Sequence, residues 1–229
     1  MLIQNNNYIL FNTYRYKYRN LLPFFMICLI FNGGYLNCEK TKEQNMSASK
    51  LEKQLFEDTN LEVPPFGAES IKIAHKMGSE ATNTLLTQIK KNGKTAFLAL
   101  EALRASDNET YNSLSVPQKA EIYINNLQHS TFYNAWGVPG YQLTGTSNAL
   151  ISMGEAIIPF LSPLLENKLP ALLSGSQDAT TSSIYKNRIC DYAWIFIIEI
   201  KHRQYSYHKT PEERDEDIRK LLLELGVKQ

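Results

Sequence analysis

Hydrophobic residues between Ala68 and Ala105 recur every three or four positions, with polar residues between them. This spacing places the apolar side chains on one face of a helix. The pattern is interrupted once, at Asn92-Gly93, directly after two lysines, and this combination is typical of a helix end. We therefore predict two helices here, packed as an antiparallel pair.

Two later segments begin with residues that favour a helix start. Ser115 and Gln118 have the spacing of a capping box, and so do Thr210 and Glu213. A proline lies in the first turn after each cap, where its missing N–H is harmless. We predict a helix after each box, the second one ending at Gly226.

The stretch from Tyr192 to Ile198 is apolar on every side. Its β-branched and aromatic residues would also suit a buried strand. The pattern extends back through Ile184 and Ile189, which favours a central helix that is covered all round. No comparably convincing alternating pattern occurs in the sequence, so the predicted fold class is all-α.

The first 37 residues have the features of a signal peptide. Arg15, Lys17 and Arg19 precede an apolar run at residues 21–31 that contains no charge. Eleven apolar residues are too few for a membrane span, which needs about 20, but they suit the apolar region of a secretory signal. Asn32-Gly33-Gly34 then ends the run.

The segment Tyr35-Leu36-Asn37-Cys38 resembles the cleavage site of a bacterial lipoprotein signal. The resemblance implies cleavage before Cys38 and acylation of that cysteine, whose lipid would then hold the protein at a membrane of the bacterial cell envelope. Each buried methylene of such a chain contributes about 0.8 kcal/mol. An ordinary cleaved signal, giving a secreted protein, and an uncleaved anchor are the alternatives.

The remaining chain divides into two parts by composition. Residues 38–66 are mostly polar, with one short helical stretch near residues 49–58 and a stop at Val63-Pro64-Pro65. We predict a flexible tether over 38–66. The helical domain is predicted over 67–229.

Part of this domain resembles HEAT-type helical repeats. In Ala149–Leu165 a helix ends at Gly154 and a second begins near Pro159 with paired leucines after it. Asn92–Leu103 is similar to a weaker copy, and Arg188–Ala193 to the start of another. The resemblance implies an irregular HEAT-like α-solenoid or helical bundle whose surface binds protein partners, without catalysis.

Charge and cysteine content narrow the function classes. The net charge is +1, and it becomes −2 without the leader, which holds three basic residues and no acidic one. Nucleic-acid binders usually carry a basic excess, so no nucleic-acid partner is predicted. With Cys28 in the signal and Cys38 acylated, Cys190 has no disulfide partner and is predicted to be a small buried hydrophobe.

Motifs for catalysis or metal binding are weak. Gly93-Lys94-Thr95 lacks the second glycine and the preceding strand of a phosphate-binding loop. The histidines lack the close spacing of a zinc site, so no cofactor or metal is predicted. The alternative to a binding module is a small envelope hydrolase that brings His202, His208 and carboxylates together from several helices.

An aromatic loop at residues 132–141 is the most unusual stretch. It is rich in tyrosine, glycine and tryptophan, which binding surfaces often use, and which also suit a loop that packs against a helical body. The candidate partner-binding residues are Phe132, Tyr133, Trp136 and Tyr141. An exposed Trp136 would favour binding, whereas a buried one would favour a structural role. The predicted function is a lipid-anchored, non-catalytic protein-binding or scaffolding module; a purely structural envelope protein is a third possibility.

Overall fold

The computed structural model describes residues 47–129, 134–171, 180 and 183–226. Contacts divide the chain into two units, Met1–Asn45 and Met46–Gln229. All described residues belong to the second unit. Cys38 and the predicted signal peptide lie outside the described residues.

The first half of this unit is built from helices joined by short turns. A 3₁₀ turn, Gly78–Ala81, links the second and third helices. In chain order the helices are α1 at residues 47–60, α2 at Glu69–Met77, α3 at Thr82–Lys91, α4 at Ala96–Ser106, α5 at Asn108–Ser113 and α6 at Val116–His129.

The second half opens with a small hairpin and continues as helix. Two 3₁₀ segments, Gly154–Ile157 and Ser162–Glu166, lie on either side of α8. The elements are β1 at Gly137–Val138, β2 at Gln142–Leu143, α7 at Gly145–Ile151, α8 at Ile158–Leu161, α9 at Ile189–Ile200 and α10 at Pro211–Glu224. The all-α prediction is confirmed.

Two helices form the centre of the core. Helix α4 packs against α2 and α3, and its residues from Ala96 to Leu103 are all buried. Helix α9 is buried along nearly its whole length, including Tyr192–Ile198. The helical interpretation of this stretch is therefore confirmed. A helix that is apolar on every side is stable here because neighbouring elements cover it all round.

The flexible tether predicted over 38–66 is wrong for residues 47–60, although the short helix predicted near residues 49–58 is present. Residues 47–60 form α1, and Leu51 and Leu55 are completely buried in the common core. Asp58 fastens the helix end, since its carboxylate accepts a hydrogen bond from the Ser70 backbone N–H at 2.7 Å. The polar composition misled the prediction because two leucines four residues apart suffice to pack one helix face.

The segment after Gly154 is less regular than the single helix predicted there. Pro159 and Pro163 each lie at a helix start, and the run breaks into 3₁₀, α and 3₁₀ turns because proline cannot donate in a helix interior. No single helix in the described part of the chain is long and apolar enough to cross a bilayer. The pair Gly145–Ile151 and Gly154–Glu166, bent by 99°, meets that criterion jointly by length and composition.

Both predicted capping boxes are present. The Ser115 backbone N–H donates to the Gln118 side chain at 3.0 Å, and Thr210 and Glu213 cap α10 reciprocally. Gly226 follows α10 with φ of 69°, as expected for a glycine after a helix.

Candidate interaction site

The candidate binding residues of the aromatic loop that the structure describes differ in solvent exposure. Trp136 is 4% exposed, whereas Tyr141 is 76% exposed. Phe132 and Tyr133 lie outside the described residues. Of the two roles considered for this loop, packing describes Trp136, and Tyr141 alone among the described candidates is available to a partner.

Trp136 anchors the loop in the core. Its indole Nε1–H donates to Oδ1 of Asn126 at 3.1 Å. Its ring lies 5.8 Å from the rings of Tyr123 and Phe196 and 6.1 Å from that of Phe97. These separations are typical of favourable aromatic pairs, so the tryptophan joins α4, α6 and α9.

Hydrogen bonds then fix the backbone around Trp136. The Ser147 hydroxyl donates to the Trp136 carbonyl at 2.6 Å, and the Thr144 hydroxyl donates to the Ala135 carbonyl at 2.5 Å. The Tyr192 hydroxyl on α9 donates to the Gly137 carbonyl at 2.6 Å. The loop is therefore held on both sides.

The hairpin tip is seated against the C-terminal part of the chain. Strands β1 and β2 pair antiparallel, with Val138 opposite Gln142. At the tip, Gly140 has φ of 73°, and a Cβ built there would lie 2.3 Å from the Tyr207 ring. Both the conformation and the close approach require glycine. Tyr141, the next residue, is thus presented from a rigid turn.

A groove runs beside this turn. The hairpin groove has a volume of about 210 Å³ and is lined by Phe66, Asn134, Val138, Tyr141 and Leu143 among others. Phe66 is 71% exposed, which is close to the 76% exposure of Tyr141. The described lining residues carry no charge, so the groove favours apolar or neutral groups.

A second hollow also includes Phe66 in its lining. The helix cleft has a volume of about 280 Å³ and shares Phe66 and Thr144 with the hairpin groove. Its lining includes the apolar residues Ala68, Ile71 and Ala105. It also includes three charged residues, Lys72, Glu101 and Arg104. One exposed aromatic residue therefore lines both hollows.

Glu101 forms a polar cluster at the helix cleft. The carboxylate is 1% exposed and pairs with the Arg104 guanidinium at 2.7 Å. The Tyr123 hydroxyl donates to it at 2.6 Å and the Thr146 hydroxyl at 3.0 Å. The Tyr111 hydroxyl lies 3.2 Å from that of Tyr123. Helices α4, α5, α6 and α7 all contribute to this cluster.

The surroundings shift the pKa values of Tyr123 and Arg104 in the cluster. Burial, together with the negative charge of Glu101, raises the pKa of Tyr123 well above its usual value. Burial acts to lower the pKa of Arg104, but the hydrogen bond and charge of Glu101 outweigh it and raise that pKa. The phenol therefore remains a donor and the guanidinium a cation at neutral pH. Both carboxylate oxygens of Glu101 are already hydrogen-bonded, which suits a structural connection between helices.

The residues considered for hydrolysis are not gathered into a site. His202 is exposed at the end of α9 with φ of 51°, and His208 pairs with Asp217 at 3.3 Å on the surface. Cys190 is fully buried, as predicted, and burial raises its thiol pKa to about 12. It is thus a neutral thiol at physiological pH. Groups of three or more metal-ligating side chains are absent from the part of the chain that the structure describes.

Sequence reasoning missed Phe66 because it lies in the segment interpreted as a tether. The signal that could have found it is a large aromatic residue directly after Pro64-Pro65 in an otherwise polar stretch. It also missed Glu101, since a single glutamate in a helix carries no pattern that predicts burial.

No protein-family model matches the chain, and comparison with curated proteins and with solved structures gives no match either.

Proposed function

We propose that this protein is a lipid-anchored bacterial envelope protein that binds, without catalysis, an extended segment of a partner protein across Phe66 and Tyr141. The observation that carries this proposal is the pair of exposed aromatic rings at one continuous set of hollows. Aromatic residues beside pockets supply much of the binding energy in protein interfaces.

An extended segment suits the surface because Phe66 lines both the hairpin groove and the helix cleft. Side chains alternate along an extended chain, so two of them can enter the two hollows while the backbone passes the phenylalanine. The uncharged described lining of the hairpin groove favours an apolar side chain there. At the helix cleft, Arg104 is 32% exposed and offers guanidinium N–H groups to a backbone carbonyl.

Rigidity supports the same proposal. Tyr141 follows a turn that is held by Tyr192, Tyr207 and the buried Trp136. A surface that is already ordered loses little conformational entropy when it binds.

The lipid anchor belongs to the proposal and rests on residues 1–38 of the sequence. Residues 39–46 are all that separates Cys38 from α1. Fully extended, eight residues span at most about 28 Å. An acylated Cys38 would therefore keep the beginning of α1 within about 28 Å of the lipid attachment point.

Site-specific photo-crosslinking tests the binding surface. A photoreactive phenylalanine analogue placed at Tyr141 is expected to crosslink a discrete partner in native membranes, and Phe66→Ser is expected to abolish that product. The matched control carries the probe at Leu223, an exposed apolar residue on α10, and is expected to give no such product. A product that is unchanged by Phe66→Ser, or that also forms from position 223, would contradict the proposal.

Intact mass tests the anchor separately. A mass equal to residues 38–229 plus acyl chains supports it, and Cys38→Ala is expected to release the protein from membranes. A full-length mass, or continued membrane association of a cleaved Cys38→Ala protein, would exclude lipid anchoring while leaving the crosslinking result intact.

A further inference from the structure

A third hollow lies where several helices end. Phe66 is not among its lining residues. The asparagine cleft has a volume of about 330 Å³ and contains side chains of Asn60, Asn92, Asn125 and Asn126. Small-molecule sites start at about this size. The ends of α1, α3 and α6 contribute to it, together with the beginning of α4.

Its polar groups are suited to hydroxyl groups. A side-chain amide offers both donors and an acceptor, and each hydroxyl of a ligand likewise donates one hydrogen bond and accepts others. The lining includes two basic residues, Lys94 and His129, and one acidic residue, Glu62. Because side chains of both signs line the cleft, it has no large excess of either charge.

The floor of the cleft is apolar and belongs to the hydrophobic core. Ala96, Phe97 and Ile122 line it and are buried in the core. A ligand with both a C–H face and a rim of hydroxyls could place its face on this floor and its hydroxyls against the amides.

Two amides are held in position by the protein. Asn126 Oδ1 accepts the indole N–H of Trp136, which leaves the orientation of this amide defined. Asn92, in the left-handed conformation with φ of 46°, donates from its Nδ2 to Glu121. The cleft is therefore partly organised before any ligand binds.

Thr59 adds a related observation. It lines the cleft, and its hydroxyl oxygen is buried without a hydrogen-bond partner in the described part of the chain. A buried hydroxyl that forms no hydrogen bond is costly. Rotation about its Cα–Cβ bond in the bound state would allow it to pair with a ligand hydroxyl.

We infer that the asparagine cleft binds a neutral polyhydroxylated ligand of the size of one sugar ring. This site is separate from the proposed protein-binding surface, and neither proposal depends on the other. Because Asn126 contacts Trp136, binding is expected to change the fluorescence of that tryptophan.

Calorimetry on the full chain, kept in a detergent without a sugar headgroup, tests the inference. The probes are glucose, galactose and N-acetylglucosamine at up to about 50 mM, a range that detects weak sites, with glycine and alanine as zwitterionic comparisons. Saturable heat with at least one sugar, and a change in Trp136 fluorescence in a Trp194→Phe background, are expected. Absence of sugar binding, or binding of the amino acids alone, would overturn the inference.

Two variants locate the site. Asn125→Ala is expected to weaken sugar binding about tenfold, the effect of one lost hydrogen bond, whereas Asn83→Ala, an exposed asparagine on α3 that does not line the cleft, should leave affinity unchanged. Gly93→Leu is expected to abolish binding by filling the cleft. A Cβ at Gly93 meets no atom within 4 Å, so this variant should fold, as circular dichroism would verify. Unchanged affinity in both cleft variants would place the sugar elsewhere and overturn the assignment.

Discussion

Two buried carboxylates, Glu101 on α4 and Asp191 on α9, hold different parts of this protein together by different means. Glu101 pairs with one arginine and receives two hydroxyl hydrogen bonds. Asp191 lies between two arginines, Arg188 at 2.9 Å and Arg214 at 3.0 Å. The first cluster borders an open cleft, whereas the second is enclosed.

The enclosure of Arg214 is the sharpest part of this contrast. Its side chain is completely buried, and it also donates to the backbone carbonyls of His208 at 2.9 Å and Tyr185 at 2.7 Å. It lies over the Tyr207 ring at 5.0 Å. One side chain thus connects α10 with α9, with the segment between these helices and with the segment that precedes α9. By comparison, Arg104 is partly hydrated and can return to water if its partner is lost. We therefore expect the removal of a partner to lower the free energy of unfolding far more in the Asp191 cluster than in the Glu101 cluster.

Arg214→Met is expected to have the largest effect. The methionine keeps much of the volume but leaves Asp191 with one cation and several carbonyls without a donor. Removing one partner of a buried pair costs about 3–5 kcal/mol in free energy of unfolding. Urea unfolding at neutral pH would measure this. Arg219→Met, an exposed arginine of the same helix paired with Glu216, is the control, and equal losses in the two variants would refute the contrast.

Glu101→Gln should have a smaller effect, about 1–3 kcal/mol. The amide retains the shape of the carboxylate and can accept from Tyr123, while Arg104 regains hydration. Glu109→Gln, an exposed site on α5, should change stability by less than about 0.5 kcal/mol. A loss for Glu101→Gln as large as that for Arg214→Met would show that the open cleft does not relieve the arginine.

Within the Glu101 cluster, Tyr111→Phe is expected to cost about 1 kcal/mol, less than Tyr123→Phe. The Tyr111 hydroxyl meets only the neutral hydroxyl of Tyr123 among the contacts described above, whereas Tyr123 donates to a carboxylate, and hydrogen bonds to charged groups are stronger. Thermal unfolding of both variants would rank them. The reverse order would place the main connection of the cluster at Tyr111.

The smallest effect is expected at the exposed end of α10. Hydrogen bonds from Arg203 and Lys201 lower the pKa of Glu224 from 4.5 to about 2. A carboxyl whose pKa is depressed by folding adds stability above its unfolded pKa, and this contribution disappears as the pH falls from about 4.5 to about 2. Hydrogen exchange of α10 in the protein and in Glu224→Gln should therefore differ at pH 7 and converge near pH 2. A difference that persists at the lowest pH would exclude this ion pair as its cause.

Local patterns predicted much of the helical framework. The two capping boxes, the helix end at Asn92 and the apolar helix α9 depend on residues that are close in sequence, so their signals are readable without a fold. The tether was misassigned because Leu51 and Leu55 are ordinary in a polar stretch until the rest of the hydrophobic core covers them. The candidate binding loop was recognised as unusual, but the burial of Trp136 and the exposure of Tyr141 could not be told apart from composition.

By itself the sequence determined the fold class, the positions of the capped helices and the burial of Cys190. Helix periodicity and apolar burial are properties of short segments. Tertiary structure alone decided that α1 belongs to the body, that Phe66 stands beside Tyr141, and that Glu101 and Asp191 meet arginines. Phe66 and Tyr141 are 75 positions apart in the sequence, and Glu101 and Thr146 are 45 positions apart. Such pairs form only when distant helices pack, and no local spacing encodes which of many exposed or charged residues will become neighbours.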